Sequence, residues 1–391
     1  MDPHGDDALG IDTRLVHLGE EQTIEGAVVQ PIFQNSLFLF DTVEGLFDAM
    51  SHNPGSAPHS YSKSSNPTLN LAEQKIANLE GADACKLVGC GASALSIPII
   101  ANTSAGSHVV LPDTAYFPVR HLLSDMLARF GVTHTLVDGR RKEDFIDAIR
   151  PETSLIYMEA PSSIMMRMQD VDGVTAEARQ RGITTMFDNT YNTPIHFNPM
   201  KHGVDIVCHS VSKYMGGHSD LIAGAICTDA KRMDSLVRSE INAFGSAAPF
   251  VAWLVVRGLR TLPLRIKRHE ATANTLAAWL ETRPEVARVH HLGLSSYPQR
   301  ELVEKLFSGT GGLFSLELED QSLETANRFV NALRFFGKGV SWGGHESLAL
   351  SMPVKTIDGN RVAIRLFTGL EDPKDLQKDL EQAFATLAVS G

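Results

Sequence analysis

Cysteine is scarce in this chain: four in 391 residues, at Cys85, Cys90, Cys208 and Cys227, with no Cys-x-x-Cys pair. That scatter reads as neither a disulfide framework nor a zinc site, and each thiol is expected to be a small buried hydrophobe in or beside a strand. No uninterrupted apolar run is long enough to span a bilayer. There is no basic block either, and 35 Lys and Arg stand against 46 Asp and Glu for a net charge of −11. This argues against nucleic acid and membranes as partners. The polar, acidic stretch Met1–Gly10 lacks the pattern of a signal segment and is expected to be disordered. What is present is an ordinary globular composition, 43% hydrophobic and 21% charged. It suits a cytoplasmic enzyme with a large α/β domain and room for a second one.

From Asn66 onward the pattern alternates between helix and strand. Asn66-Pro67 is a helix start, Leu69, Ala72, Ile76 and Leu79 share one face, and Gly81 is the stop. Strands are expected at Cys85–Val88, His108–Leu111, Thr133–Val137, Leu155–Glu159, Thr185–Asp188, Asp205–Ser210 and Ala223–Cys227. Helical patterns such as Val119–Phe130 and Lys142–Ile149 lie between them. Short, near-continuous apolar strands separated by helices imply a mostly parallel sheet covered on both faces. After about Ala252 the texture changes to a long helix, Leu264–Thr282, and an alternating stretch, Gly312–Leu318, that reads as a half-solvated strand. A strand at Arg361–Phe367 follows. The last helix is capped by Asp372, starts at Pro373 and carries the stripe Leu376, Leu380, Phe384 and Leu387. The expected organisation is an arm over 1–60, a large α/β domain over 61–255 and a smaller α+β domain over 256–391. Pro31, Pro58 and the run from Ser51 to Gly55 mark the arm as extended.

Ligands of doubly wound sheets sit at strand ends, and three ends here carry unusual residues. Val88-Gly-Cys-Gly-Ala92 opens into a helix whose first amides suit a phosphate. Asp188 closes a buried strand, where a carboxylate is costly without a cation or hydrogen-bond donors; capping of the next helix is the alternative. Lys213 stands in Ser210-Val-Ser-Lys-Tyr-Met-Gly-Gly-His-Ser-Asp220, a glycine-rich turn after a buried strand. Ser210 and Ser212 can hold a phosphate while the amine reaches a carbonyl, or they can bond locally within the turn. A phosphate cradle, an acidic partner and a nucleophilic lysine together are what pyridoxal 5'-phosphate (PLP) requires.

With these motifs the chain resembles the Cys/Met-metabolism PLP enzymes of trans-sulfuration: cystathionine β- and γ-lyases, cystathionine γ-synthase and methionine γ-lyase. The resemblance runs from Thr13-Arg-Leu-Val-His17 to Gly369-Leu-Glu-Asp372. It is nearest to the proteobacterial cystathionine β-lyase branch through Gly89-Cys-Gly91, Asp113-Thr-Ala-Tyr-Phe-Pro118, Ser341-Trp-Gly-Gly-His-Glu-Ser347 and Arg365-Leu-Phe-Thr-Gly-Leu-Glu-Asp372. It implies the aspartate-aminotransferase-like fold, known as fold type I. It also implies Lys213 as the Schiff-base lysine and acid/base, and Asp188 as partner of the pyridine nitrogen. Gly91 and Ala92 would supply phosphate-binding amides, and Ser210 and Ser212 hydroxyls. Tyr116 would stack on the ring and exchange protons. Arg365 would clamp the substrate α-carboxylate, a role that suits a planar guanidinium.

The family usually has Tyr-Ser-Arg where this chain has Tyr61-Ser-Lys63, a pair that reaches the phosphate of a neighbouring subunit. Lys63 keeps the charge but loses the fork. The resemblance thus implies a homodimer as the minimal unit and a homotetramer as the usual assembly. Ser163 stands where γ-lyases carry asparagine, as in the β-lyase branch. Val340 matches methionine γ-lyases, and Trp342, beside Ser341, agrees with β-lyases again. The expected activity is elimination on a heteroatom-substituted amino acid, first a carbon–sulfur β-lyase of the cystathionine type. The alternative is a γ-lyase or γ-synthase acting on a homoserine derivative such as methionine, cystathionine, canavanine or an O-acylhomoserine. A non-catalytic PLP-binding homologue and a cofactor-free Schiff-base aldolase are rivals from other classes.

Overall fold

The computed structural model describes residues 9–21, 23–51 and 59–388. The expected disorder of Met1–Gly10 falls almost wholly outside the described residues. So do Pro58 and all but the first residue of the run from Ser51 to Gly55.

Seven strands build the larger sheet: β1 (Ala84–Val88), β2 (His108–Pro112), β3 (Thr133–Val137), β4 (Thr153–Met158), β5 (Thr184–Asp188), β6 (Ile206–Ser210) and β7 (Gly224–Thr228). Their order is β1-β7-β6-β5-β4-β2-β3, with only β7 antiparallel to its neighbours. Successive residues point to opposite faces, so Leu87, Ile156, Phe187 and Val207 enter one apolar core while Val88, Leu155, Met186 and Ile206 enter another. Helix Gly91–Ala101 covers the second face and helix Pro67–Glu80 the first. The latter begins with the Asn66 side chain accepting from the Thr68 N–H at 2.9 Å and stops at Gly81 with φ +68°. Fold type I, expected from the family resemblance, is what this mostly parallel, helix-covered sheet forms.

A second sheet has five strands: β8 (Val286–His290), β9 (Leu313–Leu318), β10 (Gly337–Lys338), β11 (Leu348–Thr356) and β12 (Gly359–Phe367), in the order β10-β11-β12-β9-β8. Leu376, Leu380 and Phe384 of helix Pro373–Ala388 are buried and Leu387 packs at the edge of the core. Burying three such side chains contributes roughly 5–9 kcal/mol before entropy is counted.

Three local expectations are corrected. β9 is buried along its whole length, not half-solvated. Its polar members are absorbed rather than wetted: Glu317 accepts from His290 Nε2 at 2.7 Å and lies 3.8 Å from Arg361 Nε. The pattern Val119–Phe130 is not one helix; a short helix, Phe117–His121, gives way to a wider turn over Leu122–Met126 and a tighter one over Leu127–Phe130. Lys142–Ile149 is helical only to Ile146. Residue 255 lies inside helix Pro249–Leu259, which packs on Pro67–Glu80 beside the larger sheet.

Candidate active site

The carboxyl ends of β1, β2, β4, β5 and β6 bring one polar cluster together. The turn after β1 enters helix Gly91–Ala101, whose cap is Cys90; its Sγ accepts the Ser93 N–H at 3.4 Å. Cys90 is therefore half-exposed and caps a helix, unlike the buried Cys85, Cys208 and Cys227. Gly91 is pressed against the end of β6: a Cβ there would lie 2.5 Å from both Cβ and Oγ of Ser210. Only glycine lets the helix amides, including that of Ala92, approach Ser210 so closely. Ser212 is engaged in its own turn, donating to Ala223 O at 3.2 Å and accepting from Ala223 N at 3.0 Å.

Asp188 ends β5 and is 8% exposed. Its Oδ1 accepts from the Thr190 N–H at 3.0 Å and hydroxyl at 2.5 Å, while Oδ2 has no donor among the described residues. Burial pushes the carboxyl up, against the pull of Thr190, His209 and Lys213. Behind it, the His209 imidazole and the Asn189 amide meet the buried Glu80 Oε1 at 2.6 and 2.8 Å.

Lys213 Nζ donates to Ser341 Oγ at 2.7 Å and lies 5.7 Å from the Trp342 ring centroid. Burial first, and the Arg365 charge second, bring its amine down to about 8, with Asp188 pulling the other way. The Ser341–Ser347 loop comes this close because Gly343 has φ +86° and a Cβ there would lie 2.7 Å from Tyr214 N. Trp342 is wedged between Tyr214 and Tyr191, at 5.3 and 6.4 Å between ring centroids. Arg365, on β12, is 8% exposed and is not a surface ion-pair residue. Its Nη2 donates to Gly339 O and Ser341 O at 3.2 and 3.1 Å, and burial brings the guanidinium down to about 10.

Tyr116 is half-buried at the end of the turn after β2. Burial pushes its phenol up, as do the charges of Asp188, Glu159 and Cys90, while Arg365 opposes them. Tyr116, Asp188, Lys213 and Arg365 thus lie within electrostatic reach of one another. Tyr61 and Lys63 are exposed, and so is Val340, at 82%.

Glu159 was missed by the sequence reading. It follows β4, and its Oε2 accepts from the Tyr116 N–H at 2.7 Å and the Tyr157 hydroxyl at 2.9 Å. Burial and the neighbouring Asp188 charge lift it to about 7, although Ser163, Tyr116 and Tyr157 all bond to it. The signal was available: like Asp188, it is an acid at the end of an apolar strand, which calls for a partner.

The cluster fits PLP on its own geometry. Gly91 forms a cradle that a Cβ would fill, Asp188 is a buried carboxylate with an oxygen open to a cation, and Lys213 has an amine partly neutral near pH 8. Comparison with known proteins agrees. A family model described as Cys/Met metabolism PLP-dependent enzyme matches residues 12–385. The L-methionine gamma-lyase of Pseudomonas putida is 36% identical over 400 residues, covering 98% of this chain and 100% of that protein. The cystathionine beta-lyase of Lactococcus lactis subsp. cremoris is 34% identical over 386 residues, covering 95% and 98%. The crystal structure of metB from Corynebacterium glutamicum superposes with a TM-score of 0.91 at 30% identity, covering 99% of this chain and all of that one.

Proposed function

The chain belongs to the Cys/Met metabolism PLP-dependent enzymes, and from that premise we propose that it is a carbon–sulfur β-lyase of the cystathionine type. It would cleave the Cβ–S bond of an L-amino acid and release a thiol, ammonia and a 2-oxo acid. The observation that carries the reading is the Lys213 amine fixed between Ser341 Oγ and the Trp342 ring, with Arg365 bound to the same loop.

When bound, the cofactor supplies an aldehyde that condenses with amines and a ring that withdraws electrons from the substrate Cα. In this reading Lys213 would be the residue that holds the cofactor's aldehyde, and its amine would take the Cα proton. Asp188 would pair with the pyridine nitrogen and keep it protonated. The Gly91 and Ala92 amides and the Ser210 hydroxyl would take the phosphate, and the Ser212 hydroxyl would join them by turning from Ala223 O. Tyr116 would lie beside the cofactor and could pass a proton to the leaving sulfur. Arg365 takes the substrate α-carboxylate. Trp342 walls the space beside Lys213.

Tyr61 and Lys63 act on a second copy. Their exposure supports this, together with the exposed apolar side chains of the adjoining arm, Val28 at 90%, Leu39 at 91% and Phe47 at 64%. A homodimer is then the smallest complete unit, with a homotetramer as the full assembly. The arm over 1–60, the PLP-binding domain over 61–255 and the C-terminal domain over 256–391 are its proposed parts, with helix Pro249–Leu259 crossing the last border. Among the described residues no helix is long and apolar enough to cross a membrane. The four free cysteines support a cytoplasmic setting.

Val340 and the resemblance to a methionine gamma-lyase favour a second reading, γ-elimination or γ-replacement on a homoserine derivative. A product assay separates the two. Cystathionine, methionine, cystine, canavanine and O-acetylhomoserine are supplied singly and the products identified. Pyruvate and homocysteine from cystathionine are expected. Slow turnover there, with rapid 2-oxobutyrate or γ-substituent release from a homoserine derivative, replaces the first reading with the second.

A further inference from the structure

Outside the cofactor cluster, one arginine is nearly closed off from solvent among three carboxylates. Arg167, in the segment after β4, is 6% exposed. Its Nη1 donates to Asp113 Oδ1 at 3.0 Å and lies 3.6 Å from Asp138 Oδ2; its Nη2 donates to Asp358 Oδ1 at 2.7 Å. Asp113 Oδ2 accepts the Ile357 N–H at 2.6 Å. Arg140 adds a parallel bridge, 2.5 Å from Asp138 and 3.2 Å from Asp358.

This network joins the two sheets. Asp113 and Asp138 directly follow β2 and β3, whereas Ile357 and Asp358 form the turn between β11 and β12. Each side also leads to a site residue. Asp113 opens the turn that carries Tyr116, and its neighbour Thr114 donates to Ser162 Oγ at 2.8 Å. Asp358 immediately precedes β12, the strand that carries Arg365. A guanidinium bonded to two carboxylates fixes orientation as well as distance. β12 is paired with β11 along all nine of its residues and is buried from Ala363 onward, so it passes that constraint along its length.

We propose that Arg167 and Asp358 form a latch between the two sheets that positions Arg365, and with it the substrate α-carboxylate, against the cofactor site. The inference rests on the reading of Arg365 as the carboxylate clamp. Arg167 and Asp358 are positioning residues and touch no reacting atom. Asp358 remains ionised for this purpose across the neutral range, because the Thr356 hydroxyl first, and Arg167 and Arg140 after it, hold its carboxyl at about 2. Since every substrate shares the α-carboxylate, loosening the latch weakens all substrates by one common factor, whatever lies beyond Cβ.

The test compares Arg167→Met, Asp358→Asn, their combination and Arg167→Lys on two substrates that differ only beyond Cβ. Steady-state kinetics are read beside cofactor affinity, from absorbance, and the urea midpoint. KM is expected to rise about tenfold for both substrates by the same factor, with kcat within about threefold and cofactor affinity unchanged. The double variant should be no worse than the more affected single one, and Arg167→Lys should recover part of the loss. Unchanged KM in folded variants, or factors that differ between substrates, overturn the latch. Asp358→Asn alters a partly exposed, near-isosteric side chain, so it decides the matter if Arg167→Met does not fold. Arg365→Lys is the reference. If it leaves KM unaltered, the clamp reading fails; if it raises KM while the latch variants do not, only the latch fails.

Discussion

Lys213 Nζ and Ser341 Oγ are 2.7 Å apart, and that hydrogen bond ties the turn after β6 in the larger sheet to the loop ahead of β11 in the smaller one. The amine is therefore placed by residues from both sheets, and its charge is disfavoured by burial and by Arg365.

A pH dependence arises from that environment. Only the neutral amine attacks an aldehyde, and its ammonium form loses its proton at about 8. The rate at which cofactor-free protein captures PLP should rise about tenfold per pH unit below that value and level off above it. Replacing Arg365 by Met removes a neighbouring cation and should move the midpoint upward. Stopped-flow absorbance between pH 6 and pH 10 reads both. A profile flat across that range would contradict the assigned role of Lys213.

Arg365→Ala should lower kcat/KM about a hundredfold. The estimate takes two charge-assisted hydrogen bonds to a carboxylate, roughly 3 kcal/mol in total. Amines that lack the carboxylate should lose much less, and similar losses for both would remove Arg365 from substrate binding.

Gly91→Ala should abolish cofactor retention while leaving a folded protein. The new methyl group would lie 2.5 Å from the Ser210 side chain and force the helix start away from β6. Equilibrium dialysis with PLP, paired with circular dichroism, tests this; affinity within about threefold of the parent would refute the cradle.

Glu159→Gln tests the carboxyl that burial and Asp188 lift from 4.5 to about 7. A carboxyl whose folded pKa is raised binds more protons folded than unfolded, so it removes stability as pH rises between those values. Glutamine keeps an oxygen for the Tyr116 N–H and the Tyr157 hydroxyl but does not ionise. Relative to the parent, the variant should gain stability from pH 4.5 to pH 7, read as urea midpoints. Parallel curves would show that Glu159 does not titrate there.

Local chemistry made much of the site legible in the sequence. Asn66-Pro67, Gly81 and the turns around Gly91 and Lys213 carry their own backbone signals, so strand ends and motifs could be placed without tertiary knowledge. Glu317 could not be read that way. Its strand alternates, yet its polar face is buried because His290 and Arg361, both distant in sequence, satisfy the carboxylate. Arg167 was invisible for the same reason: its partners Asp113 and Asp358 lie on different sheets. Cys90 stands just before a helix start that the sequence does show, and its thiol caps that helix and stays partly exposed instead of being buried like the other three. Val340 stood out by resemblance, but exposure is a tertiary property that sequence position does not reveal.

The reversed strand β7 lies between β6 and β1, so the turn bearing Gly91 and the turn bearing Lys213 share a border only after β7 has been inserted. During synthesis on the ribosome, a nascent chain that has released β1 through β6 holds the cradle and the lysine as separate pieces. On the proposed roles, cofactor capture would wait for the strand ending at Thr228, and substrate binding for Ser341 and Arg365. Because Ser341 also fixes the Lys213 amine, the proposed site would be complete only once nearly all of the chain has emerged.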